Sequence, residues 1–252
     1  MPTLGLTHGN GRTSHYDPLL NPTFTTNLWK SCPLLEYIHD PSIGVLLDEN
    51  FVSYNAAATT GDYVLTQATA GTGAISTAAP GVFELDCNST TQGQGAQVQR
   101  AKSAFVPAAG KHIWAEWKFK VVDTFDKVQL FVGLAEIDTS IIASGAISTS
   151  NHVGLYIATA GAGVATLAGA KAAAATTKTL VTIAEATYIR FGLYFDGVTS
   201  VQGYINGVSV STALLATANV PIVALYPSLV CQTDDTNDPI LHVQGYRIFQ
   251  LK

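Results

Sequence analysis

From Tyr188 to Phe195 the chain alternates with a period of two. Ile189, Phe191, Leu193 and Phe195 share one parity; Tyr188, Arg190, Gly192 and Tyr194 share the other. A strand sends successive side chains to opposite faces, so this stretch has one apolar face and one mixed face. Asp196-Gly197 follows, a dipeptide suited to a turn with positive φ. Val201, Gly203 and Ile205 resume the alternation, and Asn206-Gly207 offers a second turn. Tyr188 to Val208 therefore predicts an antiparallel hairpin. No segment of useful length carries the 3.6-residue period of an amphipathic helix, so the rest of the chain must also be organised as strands.

Strand-like runs recur between turn signals at 63–68, 73–77, 82–87, 95–105, 113–122, 128–135, 153–158, 163–168, 179–184, 223–231 and 241–251. In 113–122, Ile113, Ala115, Trp117, Phe119 and Val121 oppose Trp114, Glu116, Lys118 and Lys120. The run 128–135 is apolar on both parities, as in a strand covered on both sides. Ala170 to Ala175 has helix propensity but is short, which leaves helix and loop both open. The pattern as a whole predicts an all-β, antiparallel sandwich of jelly-roll type. At 252 residues, such a sandwich is routinely one domain with a core that needs no staples.

Residues 1–43 read differently. Pro2, Pro18, Pro22, Pro33 and Pro41 interrupt any period, yet Leu19, Leu20, Phe24, Leu28, Trp29, Leu34, Leu35 and Tyr37 lie among them. A solvated linker has no use for such side chains. The expectation is an extended irregular arm at 1–43 ahead of the sandwich at 44–252. The apolar residues then serve as anchors on a neighbouring subunit or on the arm's own sandwich, with a short helix near 27–29 as a third option.

Composition bears on partners. Charged residues are 12% and hydrophobic residues 47%, which fits poorly with disorder. A net charge of −5 and the lack of a basic run argue against nucleic acid. No apolar run of about 20 residues predicts a membrane span. Met1-Pro2-Thr3-Leu4-Gly5 lacks the regions of a signal peptide, giving the expectation of a protein made in a reducing host cytoplasm. Cys32, Cys87 and Cys231 show neither metal spacing nor a disulfide framework and read as buried small hydrophobes.

Thr187 to Gly197, followed by Val201-Gln202-Gly203-Tyr204-Ile205-Asn206-Gly207-Val208, resembles the concanavalin A-like (laminin-G-like) jelly rolls. Those domains carry a strand, an Asp-Gly turn and a strand ending in Tyr-x-Asn-Gly. The resemblance covers about residues 45–252 and implies fold rather than activity. Ala96 to Gln99, Gly110 to Glu116 and Phe131 to Ile142 also resemble segments of structural proteins of tailed bacteriophages, in the manner of lectin-like head decoration or cement proteins. That second resemblance implies a virion component.

Glucan-cleaving enzymes on this fold carry Glu-x-Asp-x-x-Glu on one strand, whose paired carboxylates act about 5–5.5 Å apart. Here Glu136-Ile137-Asp138-Thr139-Ser140-Ile141 ends in Ile141, and Glu84-Leu85-Asp86 has Ser89 where the last acid would stand. Neither supplies the second carboxylate, so no residue is nominated as catalytic and no cofactor is expected. Asp234, Asp235, Asn237 and Asp238 are the densest oxygen cluster and the weak candidates for a hard cation such as Ca²⁺, without the spacing of a known loop. His8, His15, His39, His112, His152 and His242 lie on separate segments. Trp114, Tyr188, Tyr194 and Tyr204 fall on mixed faces, where they are covered by other parts of the chain, buried in a protein partner or stacked on sugars.

The expected function is structural: a phage decoration protein on the virion surface that binds the major capsid protein and itself, as a homotrimer, through Leu19, Leu20, Phe24, Leu28, Trp29, Leu34, Leu35, Tyr37, Trp114, Tyr194 and Tyr204. The alternatives are a lectin-like module for surface glycans and, third, a glycoside hydrolase of the same fold.

Overall fold

A computed structural model of the chain describes residues 27–56, 61–68, 70–122, 128–143, 145–158, 163–172, 174–216, 218–234 and 237–252, together with the backbone of 5–9 and 12–16. Strands run in the order β1 (Gly5–Gly9), β2 (Arg12–Tyr16), β3 (Gly44–Glu49), β4 (Val64–Ala68), β5 (Thr72–Ile75), β6 (Phe83–Asp86) and β7 (Gly95–Gln99). They continue with β8 (Ile113–Val122), β9 (Val128–Ala135), β10 (Ile142–Ala143), β11 (Ala146–Ile147), β12 (His152–Ile157), β13 (Val164–Lys171) and β14 (Ala174–Thr182). The last five are β15 (Ile189–Phe195), β16 (Ser200–Ile205), β17 (Val208–Ala216), β18 (Tyr226–Thr233) and β19 (Ile240–Leu251). A 3-10 turn at Leu28–Ser31 and a short helix, α1 (Leu34–His39), precede β3.

Two large antiparallel sheets face each other. One has seven strands in the order β14-β13-β12-β9-β18-β7-β4; the other has eight, ordered β17-β16-β15-β8-β19-β6-β5, with β3 paired to β19. This is the predicted jelly-roll sandwich. The parity of the 188–195 stretch holds: Ile189, Phe191, Leu193 and Phe195 are buried, and Phe191 stacks on Trp117 at 5.7 Å between centroids. Both predicted turns form. Asp196 Oδ1 accepts from the N–H groups of Val198, Thr199 and Ser200. Asn206 and Gly207 take φ of 51° and 81° between β16 and β17.

Several boundaries differ from expectation. The run 95–105 is a strand only to Gln99, because the chain turns at 100–103 and Phe105 meets Leu225 as an isolated bridge. The Ala-rich stretch is the turn of the β13–β14 hairpin, with Ala172 at φ 46°. There, cross-strand pairing overrides helix propensity. Strands β3 and β17 lay outside the predicted runs. The N-terminal 43 residues are not wholly irregular, since they contain the β1–β2 hairpin, the 3-10 turn and α1.

One irregularity sets up the site. In β19 the register against β8 shifts between Val243 and Gly245. Leu241 and Val243 point into the core before the shift; Tyr246 and Ile248 do so after it. The extra residue of a bulge flips the parity of everything that follows, and here it carries Arg247 to the outer face. Gly245 takes φ 152°, and a Cβ there would lie 2.4 Å from the Glu49 carbonyl oxygen. Only glycine fits.

Candidate functional site: a pocket on the outer face of the eight-stranded sheet

Register aligns the outward side chains of β15, β8, β19 and β3 in rows. The first row is Tyr194, Trp114, Phe249 and Leu46. The second is Gly192, Glu116, Arg247 and Asp48, and the third pairs Arg190 with Lys118 beside Gly245. Apolar and charged rows thus lie next to each other on one sheet face.

The N-terminal segment covers the apolar row. Leu28 and Cys32 are buried with Trp114 and Phe249, and Trp29, Leu34, Tyr37, Tyr194, Tyr204 and Leu251 pack around them. Trp114 lies 5.4 Å from Tyr194 and 5.9 Å from Phe249, centroid to centroid, and Tyr37 meets Phe249 edge-on at 5.5 Å. His112 Nδ1 and the Tyr194 hydroxyl are 2.6 Å apart. The seat for this segment is built locally. The Leu28 N–H donates to the Gly207 carbonyl at the Asn206-Gly207 turn, and Gly192 leaves room for Leu28, whose Cδ2 would be 2.6 Å from a Cβ there.

Beyond Leu28 the face opens into a pocket of about 390 Å³, within the range of small-ligand sites. Trp29, Asp48, Glu49, Glu116, Lys118, Arg190, Gln244, Gly245, Tyr246 and Arg247 are in its lining. Arg247 donates from Nε to Asp48 Oδ2 at 3.0 Å and from Nη2 to the same oxygen at 2.5 Å. Glu49 is occupied in another direction: it accepts from the Tyr63 hydroxyl at 2.6 Å, the Phe51 N–H at 2.8 Å and Arg100 at 2.5 Å. Glu116 accepts from the Trp29 side chain. Burial pushes its carboxyl above the usual carboxylate range; Arg190, the Trp29 hydrogen bond and Arg247 offset only part of this. Lys118 Nζ sits 5.5 Å and Lys120 Nζ 5.1 Å from the centre of the Tyr188 ring.

The outer face of the seven-stranded sheet is closed. Phe131, Ala135, Tyr156, Ala168 and Val230 are buried beneath Ile141 and Ile142 of the segment that follows β9. Gln97 and Gln99, buried on β7, pin that segment. Ile141 N–H donates to Gln97 Oε1 at 3.0 Å and Asp138 N–H to Gln99 Oε1 at 3.0 Å. Gln97 Nε2 donates to the Asp138 carbonyl, and Gln99 Nε2 to the Glu136 carbonyl and Ser228 Oγ, both at 2.9 Å.

The acids of the Glu136–Ile141 stretch are consumed here. Glu136 accepts from Asn151 N and Nδ2, and Asp138 accepts from the Ser140 N–H and from the Ser140 and Ser150 hydroxyls. Burial alone would raise the Asp138 carboxyl, but these donors outweigh it and hold it below its ordinary value. Glu84 meets His242 at 3.5 Å on the outside of the other sheet, and Asp86, next along that face, is raised by burial and by the nearby Asp238 and Glu84 charges, only partly offset by the Asn88 N–H.

Of the weak cation candidates, Asp234 accepts from Gln92 and Gln129 at 2.9 and 3.0 Å, and Asp238 accepts from the Ser89 N–H at 3.0 Å. Asp235 lies outside the described residues, and among those described no three His, Cys, Asp or Glu side chains gather as a metal site. Leu19, Leu20 and Phe24 also lie outside them. Leu35 is exposed on α1. Sequence reasoning placed Glu116 and Lys118 on a polar face but passed over Arg190, Arg247 and Asp48 as a site; the isolated Gly245 in a strand-like run was the available signal for the bulge.

No protein-family model matches the chain, and no curated protein matches it by sequence. Solved structures do. Peanut lectin superposes with a TM-score of 0.58 at 12% identity over 83% of this chain and 98% of that one. A β-glucanase of Bacillus licheniformis gives 0.57 at 12% identity over 81% and 98%. A protein of unknown function from Shewanella oneidensis MR-1 gives 0.58 at 14% identity over 83% and 87%. At such identities the likeness defines the fold: a concanavalin A-like jelly roll, shared by lectins and glucanases.

Proposed function

We propose that this chain is a lectin-like carbohydrate-binding module, not an enzyme, whose ligand occupies the outer-face pocket. One observation carries the reading: Glu116, half-buried and held by the Trp29 side chain, stands in an open pocket beside Arg190 and Arg247. A sugar presents hydroxyls that need fixed acceptors and donors, and an apolar ring face that an indole can cover. The likeness to peanut lectin supports a binding role on this fold, while the acids that most resemble a glucanase pair are committed to loop hydrogen bonds. A glycan array, followed by titration of the hits, tests the reading. Saturable binding that Trp29→Ala and Glu116→Gln each weaken is the expected result. Binding that neither variant alters, or no binding to any glycan, overturns it.

A second reading is assembly as a phage decoration protein, a homotrimer on the major capsid protein. Exposed apolar side chains at Leu35 and Ile38 of α1 and at Val45 of β3 favour it, since such groups suit a protein contact. Sedimentation of the full chain with and without capsid shells tests this. A chain that stays monomeric and free of shells at every concentration sinks it.

A further inference from the structure

The third row of the outer face holds a mismatch. Arg190 and Lys118 are direct cross-strand partners in the β15–β8 register, and like charges directly opposite one another are destabilising. Among the described residues neither makes an ion pair. Asp48 is held by Arg247 and Glu49 by Arg100, while Glu116, bonded to the Trp29 side chain, feels the Arg190 charge without forming an ion pair with it. Of the 13 Lys and Arg, Lys118, Lys120, Arg190 and Arg247 stand on this sheet face with Asp48, Glu84 and Glu116, and Arg247 is paired to Asp48 while Arg190 and Lys118 are not paired to an acid. Two opposed cations at the mouth of a pocket are what an incoming anion satisfies.

Building on the carbohydrate reading, we infer that the ligand is an acidic sugar whose carboxylate seats between Arg190 and Lys118. The guanidinium offers a planar fork that matches a carboxylate with two parallel hydrogen bonds, and the ammonium adds a point charge. Glu116 lies one row away, on the same strand as Lys118. When ionised a carboxylate can only accept hydrogen bonds, so it selects donors, the hydroxyls of the sugar ring, at that spot. It also opposes a doubly charged group such as a phosphate monoester placed close by. A uronic acid carries all three in one ring: a carboxylate for the cations, hydroxyls for Glu116 and an apolar C–H face for Trp29.

The test is an array carrying uronate oligosaccharides, their carboxyl-reduced neutral counterparts and sulfated counterparts of the neutral set, with hits titrated against the full chain. The expected result is uronate binding about tenfold or more tighter than the reduced partner, as one charged hydrogen bond implies, weakening as salt is raised. Arg190→Gln and Lys118→Gln should each remove most of that preference, lowering affinity for the uronate several-fold more than affinity for the reduced glycan; Lys171→Gln, on β13, serves as the charge control. Equal binding of uronate and reduced forms overturns the acidic class while leaving the carbohydrate reading standing. Preference for the sulfated set overturns the carboxylate. No binding to any member overturns both. Both substitutions fall on side chains outside the core, and thermal melts verify that the variants fold.

Discussion

On the outer face of the seven-stranded sheet, Gln97 and Gln99 use their amides on the backbone of 136–141. On the outer face of the eight-stranded sheet, Lys118 and Arg190 oppose each other at the mouth of a pocket. Both faces start from the same alternation, one side chain in and the next out. They differ in what the chain then lays over them. The first is sealed by a segment whose polar groups are matched to the sheet beneath it. The second is covered only where it is apolar, by Leu28 and the residues after it, and left open where it is charged. The covered face tolerates the buried amides of Gln97 and Gln99 because both ends of each are bonded; an open face can keep charges that lack ion-pair partners because water and ligand reach them.

The largest expected effect is on the sealed face. Gln99→Ala removes hydrogen bonds to Asp138, Glu136 and Ser228 and strands their partners under cover. At roughly 1–3 kcal/mol for each unsatisfied group, a loss of about 4 kcal/mol is expected. Chemical denaturation measures it, and a cost below about 1 kcal/mol would mean that the segment does not seal this face.

Next comes His152, buried under the same segment with Nδ1 2.8 Å from the Ser150 carbonyl. Burial lowers its pKa from 6.5 to about 4; the Ser150 carbonyl and Glu136 oppose this in part. The unfolded chain therefore binds a proton that the folded protein refuses between those values. Stability contributed by neutral His152 is complete above pH 6.5 and falls by about 3 kcal/mol on acidification to pH 4. A pH series of melts on His152→Gln should lack that slope. An unchanged slope would place the acid sensitivity elsewhere.

On the open face, Leu28→Ala should cost about 2 kcal/mol, the low end for a buried leucine, because the covering segment can settle. Trp114 gains water, so its fluorescence should shift to the red. If the spectrum stays put, the segment is not what covers the apolar row.

The sandwich was legible because alternation is local: Ile189 to Phe195 and Ile113 to Val121 announce their inner faces without reference to anything else. The turns at Asp196-Gly197 and Asn206-Gly207 were legible for the same reason. What the sequence hid depends on distant partners. Gln97 and Gln99 look like ordinary outward polar residues until the segment after β9 folds over them. The Glu136–Asp138 acids look free until Asn151 and Ser150 arrive. Arg247 could be assigned a face only with the Gly245 bulge in hand, and the opposition of Arg190 and Lys118 exists only in the β15–β8 register. The cover over Trp114, Tyr194 and Tyr204 was one of three readings left open; the segment at Leu28 packs there, held by its N–H bond to the Gly207 carbonyl, a partner far along the chain.

The smallest effect separates the two faces by sign. Glu116 has its carboxyl raised by burial, so its ionisation works against folding; Asp138 has its carboxyl lowered by the donors around it, so its ionisation works for folding. For Glu116 the cost is present at pH 7 and vanishes as pH falls below the unfolded value of about 4.3. Glu116→Gln should therefore raise the melting temperature at pH 7 by an amount that disappears in acid. For Asp138 the benefit is present above about 3.9 and is lost as pH falls through its lowered folded value. Asp138→Asn should lower the melting temperature at pH 7, again converging on the parent in acid. Paired melts at pH 7 and pH 3 measure both. Shifts of the same sign would show that the two carboxylates share one environment, and that the open face is not held in readiness for a ligand by an acid that folding alone would discard.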